Sequence, residues 1–265
     1  MNSNNSKIYG EDFSSFDELQ WYLDEEKAYK KLRSERKEYI DCNIAYEYHD
    51  INSYYGFLPF SKQKFSNVLI FGSSTGVEGI PIIDKIDRIY LADSEDNISP
   101  DERLKNFNVI KLKSTSSVKL KLKSNHIDLV TCFGVLHHIC KPSKSLGEIY
   151  RVMKKGSLFL LREPITSMNF HNKQRIGCTP RERGLPYITF EKLLVSKGFK
   201  IEKRNFCFSP FFTIPLIRVF LKKIRLLAYI DDYYCNFLFP YPAYQRKTLL
   251  DKFRPSSCFW ILRKV

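Results

Sequence analysis

The sequence predicts an α/β fold: a doubly wound, mostly parallel seven-stranded sheet with helices on both faces. Three observations carry this. Five short apolar runs recur after Asn67, namely NVLIFG, RIYLAD, NVIKL, IDLVTCF and SLFLLRE, each separated by helix-compatible sequence. Continuous runs of this length suit parallel strands buried on both faces. Between the fourth and fifth runs, Leu146, Ile149, Tyr150 and Met153 fall at i, i+3, i+4 and i+7, an amphipathic helix followed by Lys154, Lys155 and Gly156. Two further strand-like segments, FKIEKRNFCF and SSCFWILRKV, bring the count to seven, and the terminal one is expected to pair at the sheet edge. Strands alternating with helices imply right-handed crossovers.

In chain order, residues 1–60 form an N-terminal tail and helical cap. The tail is polar to about Glu11. A helix is then announced by Ser15 with Glu18 three residues on, a capping-box pattern, with Phe16, Leu19 and Leu23 sharing one face. Its far half, EEKAYKKLRSERKEY, interleaves charge at helical spacing and suits a solvated helix running to about Tyr48. Residues 61–265 form the main domain. After Pro164 comes a long loop, ITSMNFHNKQRIGCTPRERGLP, of a length that is often functional. Thr189 is expected to cap a helix ending at Gly198. An aromatic helical insertion occupies about 209–245, where Leu216, Ile217, Phe220, Ile224 and Leu227 line one face and Arg218, Lys222 and Arg225 the other.

The 265 residues suffice for one sizeable core with appendages. The net charge of +14 favours acidic partners such as phosphate-bearing substrates, nucleic acid or an anionic membrane surface, and equally describes a merely solvated basic surface. Seven scattered cysteines without CxxC spacing suit free thiols in a reducing, cytoplasmic compartment. There is no apolar leader pattern and no apolar run long enough to span a bilayer. The five histidines and seven cysteines show no metal-ligand spacing, so no metal site is expected.

In an open α/β sheet, ligands bind beyond the carboxyl ends of the strands, where strand order reverses. The first run ends in Gly72-Ser73-Ser74-Thr75-Gly76, a small-residue turn that lets backbone approach a ligand. The second ends in Asp93, seventeen residues past Gly76, where a carboxylate can accept both hydroxyls of a ribose.

Together these segments resemble class I S-adenosylmethionine-dependent methyltransferases of the broad type 11 kind. VLIFGSSTG resembles their first motif, VLDLGCGTG, and LADSEDN their acidic second motif. IDLVTCFGVLHHI and LGEIYRVMKKGSLFLLREP resemble the later ones, in the right order from Asn67 to Pro164. The resemblance implies a Rossmann-like methyltransferase fold, with SSCFWILRKV as its antiparallel terminal edge strand and S-adenosyl-L-methionine as cofactor. It places Gly72, Ser73, Ser74, Gly76, Asp93, Ser94, Ser114, Thr115, Cys132 and Phe133 around that cofactor. Two departures stand out: the family's first-strand acid, which helps hold the methionine end, is Ile70 here, and the middle glycine is Ser74.

Candidate catalytic residues are His137, His138 and Glu163. An imidazole near its ordinary pKa can take a proton at neutral pH, but adjacent helical residues diverge by about 100°, so one histidine at most is expected to face the substrate. The alternative is packing and capping. Glu163 is expected at the rim, either receiving an acceptor proton or pairing with Arg162 or Arg181. Arg181 and Arg183 are candidates for clamping an anionic substrate group, or for a loop-to-sheet ion pair. The favoured acceptor is a small molecule or glycan, including a lipid-linked one under the aromatic insertion. RNA and a non-catalytic binding protein of the same fold are the alternatives.

Overall fold

A computed structural model describes residues 8–35, 48–93, 98–113, 119–167, 179–209, 220–221 and 226–265. Seven strands form one sheet: β1 Phe65–Phe71, β2 Ile86–Asp93, β3 Asn108–Lys113, β4 Ile127–Phe133, β5 Met153–Pro164, β6 Phe199–Cys207 and β7 Ser257–Lys264. Their spatial order is β3-β2-β1-β4-β5-β7-β6. The first five are parallel, whereas β7 is antiparallel to both β5 and β6. The terminal strand is thus antiparallel as expected and sits one place in, with β6 outside it.

Alternating side chains on these strands feed two separate cores. Leu69, Phe71, Val130, Cys132, Phe159 and Leu161 pack with Leu146 and Ile149 of α3 (Pro142–Val152) and with Phe190 and Leu194 of α4 (Tyr187–Ser196). Val68, Ile70, Leu129, Leu158 and Leu160 face Ile51 of α2 (Tyr48–Asn52), Tyr55 and Phe57 of the wider turn that follows it, and Leu227 of α5 (Leu227–Tyr233). Burial on both faces explains why the strand sequences are continuously apolar. Helix α4 starts directly after Pro186, two residues ahead of the expected Thr189 cap, and Gly198 follows it with φ of +94°.

Helix α1 spans Ser15–Glu35, and the expected continuation across 36–47 lies outside the described residues. Its cap is one residue earlier than expected. Ser14 donates to Asp17 Oδ2 through its amide (3.2 Å) and its hydroxyl (2.6 Å), and the Asp17 amide donates back to Ser14 Oγ (3.2 Å). Glu18 turns instead to Lys144, whose Nζ reaches both carboxylate oxygens at 2.9 and 2.8 Å. The buried face of α1 is Glu18, Trp21 and Glu25, while Phe16, Leu19 and Leu23 are exposed. The inward face is polar because it meets charged loop residues and not the sheet core. Among the described residues no helix is long and apolar enough to cross a membrane.

Candidate active site

Chain order reverses between β1 and β4, so the loops leaving these neighbouring strands diverge and open a crevice. It is lined by Ile70, Phe71, Gly72, Ser73, Glu78, Thr131 and Phe133. Gly72 has φ of +80°, and its amide donates to Ala92 O (2.7 Å), tying the turn to β2. A side chain there would collide with Val135, so a glycine is required on both counts. The Ser73 hydroxyl accepts from the Gly76 amide (2.9 Å) and donates to Glu78 Oε2 (2.5 Å), locking the turn. Ser74 is half-buried in the same turn. Asp93 ends β2 opposite Lys113. Phe133 lines the crevice, whereas Cys132, one residue earlier, points into the opposite core. Ser94, Ser114 and Thr115 lie outside the described residues.

The histidines belong to a second, adjoining cluster. Glu163, expected at the rim, is fully buried. Its Oε1 accepts from the amides of Val135 (3.0 Å) and Leu136 (2.8 Å), and its Oε2 lies 2.7 Å from His137 Nδ1. These contacts hold the turn after β4 against the end of β5. His137 Nε2 lies 3.5 Å from Glu182 Oε1, so both ring nitrogens meet carboxylates. Burial alone pulls this imidazole down, but the hydrogen bonds and charges of Glu163 and Glu182 more than reverse it, to about 8. His138 moves the other way: burial and the neighbouring His137 charge depress it, against the opposing pull of Glu25, whose Oε2 is 3.0 Å from His138 Nδ1. The two rings do not diverge. The tight turn Leu136–His138 sets their centroids 3.9 Å apart.

Helix α1 closes over this cluster. Trp21 Nε1 donates to the His138 carbonyl (2.7 Å), and the Arg183 guanidinium lies 4.5 Å above the Trp21 ring. Arg183 is buried and donates to the carbonyls of Ile139 (2.8 Å) and Cys140 (3.1 Å). Arg181 grips Asp24 Oδ2 through Nη2 (2.6 Å) and Nε (2.8 Å). Both arginines are therefore engaged with α1 or the post-β4 turn. Although sequence spacing shows no metal set, the fold brings ligand atoms of His137, His138 and Glu182 within 4.8 Å of one another.

Three further residues matter that were not among the candidate site residues. Glu78 and Thr131 line the crevice, the latter with a buried hydroxyl that has no partner among the described residues. Arg162 is buried at the end of β5, with Nε donating to Asn52 Oδ1 (2.9 Å) and its guanidinium 3.9 Å above the Tyr48 ring. Only Arg162 had a readable signal: alternation along β5 puts it on the face opposite Glu163.

This topology, with β7 inserted antiparallel and a glycine turn at the strand-order reversal, defines a class I methyltransferase-type fold. Residues 58–161 match the family described as "Methyltransferase domain". Over these residues the chain is similar to S-adenosylmethionine-dependent methyltransferase domains. No curated protein matches it in sequence. Among solved structures it is similar to the 1,6-didemethyltoxoflavin-N1-methyltransferase of Burkholderia thailandensis, with bound 1,6-didemethyltoxoflavin and S-adenosylhomocysteine. There the TM-score is 0.56 and identity 12%, over 96% of this chain and 92% of that one. It is similar also to the N-methyltransferase NodS of Bradyrhizobium japonicum in complex with S-adenosyl-L-homocysteine (TM-score 0.53, 10% identity, 84% and 90% covered). A third is the (4+2)-cyclase SpnF (TM-score 0.54, 15% identity, 82% and 79% covered).

S-adenosylmethionine is the cofactor this family implies, and the donor set fits it. A carboxylate stands at the end of β2 for a ribose, and a carboxylate and an unpartnered hydroxyl share the crevice beside the glycine turn.

Proposed function

We propose that the protein methylates a small-molecule or glycan acceptor, including one carried on a lipid, with residues 1–60 forming a cap over the acceptor side. The observation that supports this best is the roof that α1 makes over the carboxyl ends of β4 and β5. It rests on Trp21 to His138, Glu25 to His138 and Arg181 to Asp24. A roofed site suits a compact acceptor better than a nucleic-acid helix, and the methyltransferases of similar fold include one solved with a small heterocycle.

The bound cofactor supplies a methyl group on a sulfonium, which an acceptor oxygen, nitrogen or carbon attacks in line. The protein supplies orientation and exclusion of water. In this reading Asp93 accepts the ribose hydroxyls, the backbone of Gly72, Ser73, Ser74 and Gly76 lies along the cofactor, and Phe133 walls off the reacting end. His137 and Glu163 act as a positioning pair for the post-β4 turn. His138, the neutral imidazole of the two, is the candidate proton acceptor.

The test is transfer of labelled methyl from S-adenosylmethionine to pooled small metabolites and glycans, set beside total RNA. Labelled small products whose yield persists as salt rises support the reading. Labelled RNA with binding that falls steeply with salt would replace it. Absence of any S-adenosylhomocysteine binding by calorimetry would leave a non-catalytic protein of the same fold.

A further inference from the structure

The carboxylate missing from the first strand leaves open how the amino-acid end of the cofactor is held. Ile70 stands where the family has an acid, and its side chain is buried in the crevice wall. Glu78, eight residues on, lines the same wall. The residue after it is Gly79, and a Cβ there would stand 2.7 Å from Ile70 Cδ1, so the turn carrying Glu78 rests directly on the Ile70 side chain. We propose that Glu78 replaces in space the acid that Ile70 has removed in sequence, and receives the ammonium group of the cofactor's amino-acid end. This rests on the cofactor reading above.

Two features separate Glu78 from an ordinary turn carboxylate. First, it forms no ion pair among the described residues: its one side-chain hydrogen bond there comes from Ser73, its own backbone amide adds another, and Arg162 acts on it only as a nearby charge. Burial pushes its carboxyl above the usual range, with Asp93 adding to the rise, while Ser73, its own backbone amide and the Arg162 charge oppose it without reversing it. An ionised carboxylate is costly to enclose without a cation, and an arriving ammonium removes that cost. Second, Thr131 is 1% exposed in the same wall, and its hydroxyl has no partner among the described residues. Buried polar groups are rarely left unmatched, and such a hydroxyl can accept a second hydrogen from the same ammonium, which has three to give. The alternative is that Glu78 only braces Ser73.

Calorimetry with two ligands separates these. S-adenosylhomocysteine carries the amino-acid end, whereas 5′-methylthioadenosine keeps the nucleoside and thioether and lacks it. For Glu78→Gln we expect S-adenosylhomocysteine affinity to fall about tenfold or more, with methylthioadenosine affinity unchanged. Thermal unfolding without ligand should occur at the same or a higher temperature, because a buried charge without an ion-pair partner has gone. Thr131→Val should show a smaller fall with the same selectivity. Equal loss for both ligands, or loss for neither, overturns the assignment. If Glu78→Gln does not fold, Glu78→Asp serves instead, and its preference for S-adenosylhomocysteine must fall below wild type for the assignment to stand. Wild-type protein that binds neither ligand overturns the cofactor reading, and the Glu78 role with it. Wild-type binding of both combined with an indifferent Glu78→Gln overturns the Glu78 role alone.

Discussion

Glu163→Gln should destabilise the protein in a manner that depends on pH, and the dependence follows from the geometry around His137. A glutamine can still offer its carbonyl to the amides of Val135 and Leu136, but it then turns an NH₂ toward His137 Nδ1, where the carboxylate oxygen stood at 2.7 Å. In the folded protein His137 is raised from 6.5 to about 8. A raised histidine contributes stability that is fully present below its unfolded pKa of 6.5 and is lost as pH rises through about 8. That gap corresponds to about 2 kcal/mol. Without the Glu163 charge only Glu182 opposes burial, so the imidazole falls and most of this contribution is lost, together with the charge-assisted bond at Nδ1. The total cost at pH 6 is about 2–4 kcal/mol. At pH 9, where His137 is neutral in wild type as well, only a neutral contact is lost, about 1 kcal/mol. Urea unfolding of both proteins at the two pH values measures the difference, and the ring resonances of His137 report its titration directly. A destabilisation equal at both pH values, or a His137 midpoint unmoved by the substitution, would refute this reasoning.

Other substitutions probe the cleft and the loop. Asp93→Ala should weaken S-adenosylhomocysteine binding by about tenfold if the carboxylate receives the ribose, and unchanged affinity by calorimetry rejects that role. Gly72→Ala puts a side chain at φ of +80° and against Val135, so the backbone alone costs about 1–2 kcal/mol and the urea midpoint must drop. A wild-type midpoint would mean that the turn is not as described. Arg181 is part-exposed and paired with Asp24, so Arg181→Ala should cost under about 1 kcal/mol and leave KM for the acceptor unchanged. A raised KM at unchanged stability would restore Arg181 as an acceptor clamp.

The sheet was legible because each parallel strand is buried on both faces and therefore spells a run of apolar residues, such as Val68 to Phe71. Gly72 and Asp93 were legible too, since chain order alone assigns them to strand ends. Helix α1 was not. Its periodic apolar residues Phe16, Leu19 and Leu23 are exposed, and the face turned inward carries Glu18, Trp21 and Glu25. Periodicity finds a stripe, but only the partner decides which stripe is covered, and here the partners are Lys144, His138 and Arg183. Glu163 and Arg162 show the same limit on a strand. Alternation says that they face opposite sides, while the pairing of β5 with β4 decides that Glu163 meets His137 and Arg162 meets Asn52. Glu78 was invisible because it reaches the cleft from a turn that comes back across β1, a closeness that no spacing rule encodes.

Glu163 and Glu78 are the same residue type, both drawn into the protein at the ends of neighbouring loops, and they differ in how fully they are satisfied. Glu163 has two close backbone amides and an imidazole around its oxygens. Glu78 has the Ser73 hydroxyl and its own backbone amide. A carboxylate whose oxygens are already supplied has little to offer a ligand and much to lose on neutralisation, so its replacement by glutamine should appear in the stability of the free protein. A carboxylate enclosed with few donors and no ion-pair partner is the reverse: replacement costs the free protein little and is felt mainly when a cationic group arrives. The two variants should therefore separate cleanly, Glu163→Gln in unfolding and Glu78→Gln in ligand discrimination. If both fail in unfolding alone, the crevice carboxylate is a structural brace like its neighbour, and the departure at Ile70 has no compensation.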